Sequence, residues 1–85
     1  MTTEIDVDTL LPVLVLWHDA HTEEGWTYLE AVDPEPYVVN SVGYLAPDCK
    51  PGHIVLVQSI CVKDGQVDCV LSIPAGMVIS CTSLR

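Results

Sequence analysis

Residues 54–73 read IVLVQSICVKDGQVDCVLSI, and this stretch decides the fold. Two apolar runs rich in Val and Ile flank Asp64-Gly65, a dipeptide that supplies the left-handed dihedrals of a tight hairpin. Ile54–Val62 and Val67–Ile73 are therefore expected to pair as antiparallel strands. A two-residue loop sets Val67, Cys69, Leu71 and Ile73 against Val62, Ile60, Gln58 and Leu56. That register turns Gln58 inward among apolar neighbours and puts Cys61 and Cys69 on opposite faces.

Working outward, Tyr37–Leu45 reads as a strand with Gly43 inside it, where a bend, a bulge or a close approach favours a residue without a Cβ. Leu10–Trp17, rich in Val and Leu with Pro12 near its start, reads as the first strand. After the hairpin, Ile73-Pro74-Ala75-Gly76 interrupts the pattern for one turn, and Met77–Leu84 resumes it as a fifth strand. Residues 18–36, HDAHTEEGWTYLEAVDPEP, form a long connection whose only helical spacing falls at 22–30, ended by Pro34 and Pro36. The expectation is an all-β chain: a small five-stranded SH3-like barrel with a long acidic loop after the first strand, with an OB-like barrel or a small β-sandwich as the alternative. Residues 10–85 make one domain, and residues 1–9 read as an acidic, solvated lead-in.

Charge narrows the partners. The 85 residues carry three Lys+Arg against twelve Asp+Glu, a net charge of −9. Nine of the acids and no Lys or Arg fall in residues 1–42, so the acidity belongs to one half of the chain. Lys50, Lys63 and Arg85 are too few to replace the counterions of a phosphate backbone, which argues against direct nucleic-acid binding. The longest apolar stretch is too short to cross a bilayer, and MTTEIDVD has no basic and apolar leader, so a cytosolic chain away from membranes is expected. In that compartment Cys49, Cys61, Cys69 and Cys81, with no CxxC spacing, read as reduced thiols.

His18, Asp19 and His21 form the only metal-compatible cluster, and without a second ligand pair they read as surface histidines with Asp19 capping the next turn. Cys49 with His53, or Ser41 or Ser59 with a loop histidine, lacks any nucleophile signature, and Glu23-Glu24 and Asp33-Glu35 read as solvated loop acids. No catalytic residue, metal or cofactor is assigned. All five aromatics, Trp17, Trp26, Tyr28, Tyr37 and Tyr44, fall around the long loop and second strand. There the rings either bind a partner or seal the barrel end, or do both. Loops and neighbouring strand ends carry function in small barrels, so Trp17, Asp19, Trp26, Ser41 and Gly43 are the candidate binding residues.

Trp17-His18-Asp19-Ala20, Gly25-Trp26, Ser41-Val42-Gly43-Tyr44-Leu45, the strand Leu56–Ser59 and Ile73-Pro74-Ala75-Gly76-Met77-Val78 together resemble a family of small uncharacterised tailed-bacteriophage proteins, over Leu14 to Leu84. The resemblance implies a phage accessory protein in the host bacterial cytoplasm, of a type that blunts host defence without catalysis. On that reading the chain is a sponge that sequesters a small nucleotide-derived immune signal. The alternative, favoured by charge, is an acidic protein-binding inhibitor or nucleic-acid mimic that occupies a basic cleft on a host defence protein. A homo-oligomer suits a chain this short, whose own core is small.

Overall fold

The computed structural model describes residues 10–85; the expected lead-in, 1–9, lies outside them. Five strands, β1 (Leu11–Asp19), β2 (Tyr37–Ala46), β3 (His53–Ile60), β4 (Val67–Pro74) and β5 (Val78–Ser83), make one open antiparallel sheet in the order β4-β3-β2-β1-β5. The all-β expectation holds, with helix among the described residues confined to two 3-10 turns, Leu29–Ala31 and Ala75–Met77. The second of these is the one-turn break read between the fourth and fifth strands. The first is all that the helical spacing at 22–30 yields, because Leu29 is almost wholly exposed and has no face to pack.

β1 lies between β2 and β5, pairing with β2 along its whole length and with β5 from Val13 to Trp17. It extends to Asp19, two residues past the expected end, because Tyr37–Val39 of β2 continue the ladder opposite it. Its alternation works as period-two burial predicts: Val13 and Val15 are sealed, with exposures of 1% and 0%. Pro12 lacks a donor but not an acceptor, and its carbonyl takes the N–H of Leu84 at 2.9 Å. Between Leu16 and Trp17 the β1–β5 register slips, passing from Leu16 opposite Ser80 to Trp17 opposite Val78, so that Ile79 is the extra residue of a bulge.

β2 and β3 pair only from Tyr44 to Ala46, opposite Val57 to Val55. Beyond that point they separate, β2 continuing with β1 and β3 with β4. Gly43 sits at the parting. A Cβ there would stand 3.0 Å from the Val57 carbonyl oxygen and 3.2 Å from the Leu56 Cβ, so β3 closes on β2 more tightly than most side chains would allow without the neighbours giving way. The crossing brings Leu56 and Ile73 onto Val13 and Val15, and Trp17, Leu45, Ile54, Leu71 and Val78 pack around them. Val55, Leu56 and Val57 are all buried in succession, so both faces of β3 are covered here.

The hairpin forms with a different register from the one expected. Ile60 lies opposite Val67, and the turn is closed by Cys61 N–H to the Gln66 carbonyl and Gly65 N–H to the Cys61 carbonyl, each at 2.8 Å. Asp64 does not occupy a two-residue loop with Gly65; its carboxylate accepts the Gln66 N–H at 3.0 Å, which fixes a longer turn with Gly65 at φ 80°. The displacement of two residues preserves the faces but moves every pair. Gln58, expected inward, is exposed, because the strands past Val57 run beyond the core. The four cysteines are free and exposed.

The Gln66 N–H bond, helped by the Cys61 thiol, holds the Asp64 carboxyl below its ordinary 3.8. A depressed carboxylate contributes stability above its unfolded value and loses it as pH falls through the folded one. Asp64→Ala is therefore expected to lower the thermal midpoint at neutral pH, with the gap to the parent closing on acidification below the usual carboxylate range, as thermal melts across pH would register.

Candidate functional site

The 20–36 connection leaves the sheet between Asp19 and Tyr37, which face each other at the end of the β1–β2 ladder. Inside it one carboxylate does most of the shaping. Glu23 Oε1 accepts the N–H of Asp33, ten residues along, at 3.2 Å, and lies 3.9 Å from His21 Nε2. Asp33 in turn takes the Glu35 N–H at 3.0 Å, and the His21 ring stands 5.1 Å from that of Tyr37, tying the loop base to β2. The segment between Glu23 and Asp33 is thus drawn into a closed bight. At its apex Trp26 is 105% exposed, Leu29 90% and Tyr28 78%. Exposing three large apolar side chains within four residues costs solvation free energy, and among the described residues nothing covers them. Glu24 and Glu30 stand exposed on the same bight, without a basic side chain anywhere in it.

The other candidate residues lie in the sheet. Trp17 is half-buried against the core, and its indole N–H donates to the Ser41 hydroxyl at 3.0 Å across β1 and β2. Gly43 is used by the β3 crossing. Asp19 closes the ladder opposite Tyr37 and is half-buried. The structure therefore brings Trp17, Ser41 and Gly43 together on one inner face and leaves Trp26 out on the loop. The rings do not converge on a common pocket. Glu23, Asp33, Tyr28 and Leu29 belong with Trp26, and no motif distinguishes Glu23 from its neighbour Glu24 in the sequence.

Where β2 and β3 part, a groove of about 340 Å³ opens beside Ser41, walled by Leu56, Leu71 and Val70 with Gln58 and Cys69 at its outer end. Cys69 has φ 57°, inside a strand, at the one place where the β3–β4 ladder skips, between the Val57–Val70 and Ser59–Asp68 pairs. A left-handed non-glycine residue stores roughly 1–2 kcal/mol, and this one bends β4 at the groove's mouth.

His18 is exposed, and the His53 Nδ1 is engaged with the Pro51 carbonyl at 2.8 Å. Among the described residues no three His, Cys, Asp or Glu side chains are grouped to hold a metal ion. No helix of the described residues is long and apolar enough to cross a membrane. Comparison with protein-family models, curated proteins and solved structures gave no match.

If the left-handed kink shapes the groove at a local conformational cost, Cys69→Gly should hold or raise the unfolding free energy, whereas Cys69→Val should lower it by roughly 1–2 kcal/mol, since a β-branched side chain tolerates positive φ least. Urea titration of the two variants against the parent measures both.

Proposed function

We propose that this chain is a non-enzymatic binding protein that docks its acidic loop into a basic, apolar-floored cleft on a partner protein. The observation that carries the reading is the bight at Glu23–Asp33: a loop tied at its base, with Trp26, Tyr28 and Leu29 directed to solvent among carboxylates. Large aromatic side chains anchor protein interfaces, and a preshaped loop loses less conformational freedom on docking than a mobile one. The surrounding carboxylates steer it to positive charge and away from acidic surfaces. On this reading the sheet is an SH3-like barrel, supported by the strand order, the long connection after β1 and the 3-10 turn before β5. The resemblance to small tailed-phage proteins supports action in a bacterial host cytoplasm, with a defence protein as the proposed target.

A second reading, capture of a small nucleotide-derived signal, is favoured by one observation, the groove beside Ser41 with its adjoining Gln58 amide. It ranks below the first because the described rings do not stack there.

Affinity capture from a bacterial lysate at low and at raised salt, with the parent chain and with Trp26→Ala and Glu24→Gln/Glu30→Gln as baits, tests the proposal. The parent should retain a basic protein that salt releases, the double variant should hold it more weakly, and Trp26→Ala should lose it while remaining folded. Undiminished capture by folded Trp26→Ala would remove the loop from the interface. A small-molecule adduct found by native mass spectrometry on the parent chain would transfer the function to the groove.

A further inference from the structure

The sheet has two outer edges, and they are built differently. β4 is blunted as solitary edges usually are: Asp68 puts a charge on it, Cys69 at φ 57° breaks its extended run, and Pro74 removes a donor. β5 has only a single bulge, at Ile79 near its start, and beyond it Ser80–Ser83 runs unbroken beside β1. Val78–Ser83 holds no charge and no proline, and the uncharged run around it spans residues 69–84 in a chain of net charge −9.

The hydrogen-bond phase of β5 follows from its end. Leu84 donates to the Pro12 carbonyl, so Leu84, Thr82 and Ser80 turn their N–H and C=O groups toward β1. Cys81 and Ser83 turn theirs outward, and among the described residues no strand lies on that side. Beside them Ile79, the bulge residue, is 51% exposed and Leu84 53%. An unpaired row of donors and acceptors flanked by exposed apolar side chains is a template for another strand.

We infer that this edge pairs with a second copy of the chain, β5 to β5 and antiparallel, joining two five-stranded sheets into one continuous sheet. Charge fixes where two copies can meet. Two copies as acidic as this one repel wherever their carboxylates approach, and the β5 edge is an uncharged line along which they meet at least cost. The strand is also self-complementary. A two-fold axis perpendicular to the sheet sets Cys81 opposite its own copy, exchanging a pair of N–H···O bonds through the outward groups, and sets Ser80 opposite Thr82, a favourable hydroxyl pairing. So short an edge buries little area, which makes the dimer reversible and concentration-dependent. The inference is independent of the loop reading, since the bight at Glu23–Asp33 takes no part in it.

Two substitutions on β5 separate the edge from the fold. Cys81→Pro deletes an outward N–H and leaves the β1 ladder its donors, while Ile79→Lys places a charge on an exposed position, a natural device against edge pairing. Sedimentation equilibrium over a wide concentration range should show the parent passing from monomer to dimer. Each variant, folded by circular dichroism, should weaken dimerisation at least roughly tenfold, and Cys81→Ser should dimerise as the parent does. A parent that stays monomeric throughout overturns the inference, including the case in which slow exchange of the Cys81 and Ser83 amides shows its own chain covering the edge. So does a dimer that folded Ile79→Lys leaves intact.

Discussion

The approach of β3 to β2 at Gly43 is the constraint on which the rest of the molecule depends. A five-stranded antiparallel sheet without helices has nothing to pack against except itself, so it must fold over to bury one face. It does so where the Val57 carbonyl and the Leu56 Cβ come within reach of a Cβ that Gly43 does not have. From that crossing follow the cluster of Val13, Val15, Leu56 and Ile73, the separation of β2 from β3 past Tyr44, and the groove that the separation opens. Each buried Val, Leu or Ile contributes roughly 1.5–3 kcal/mol, and with so few of them the backbone contact that assembles the cluster weighs heavily.

Small size also explains the division of labour. The inner face spends Trp17 on the core, with its indole N–H satisfied by Ser41, and these side chains are then committed to stability. The 20–36 connection contributes no buried residue and is shaped by its own polar bonds, chiefly Glu23 to Asp33. Such a loop can change its apex without disturbing the sheet, and it is here that the exposed aromatics collect. The same economy leaves apolar side chains such as Ile79 and Val42 on the outside.

Much of the sheet was legible because period-two burial leaves a mark: Val13 and Val15 alternate with less buried neighbours, and the breaks at Pro34, Pro36 and Pro74-Ala75-Gly76 punctuate the strands. Gly43 was legible as a position needing no Cβ, but its neighbour was not, because a close approach by β3 and one by a ligand impose the same requirement. The hairpin turn misled for a local reason: Asp64-Gly65 suits a two-residue loop, yet the Asp64 carboxylate gains the Gln66 N–H only in the longer one. The left-handed Cys69 and the Glu23–Asp33 tie had no signature, since each depends on residues that become neighbours only after the chain has folded.

The central claim is that β3 lies across Gly43, and nuclear Overhauser contacts from the Gly43 α-protons in solution test it most directly. The account predicts strong contacts from those protons to the Leu56 side chain and the Val57 backbone, alongside the cross-strand contacts to Val13 of β1. Gly43 α-protons that touch β1 alone, in a chain whose β1–β2 ladder is intact, would contradict it.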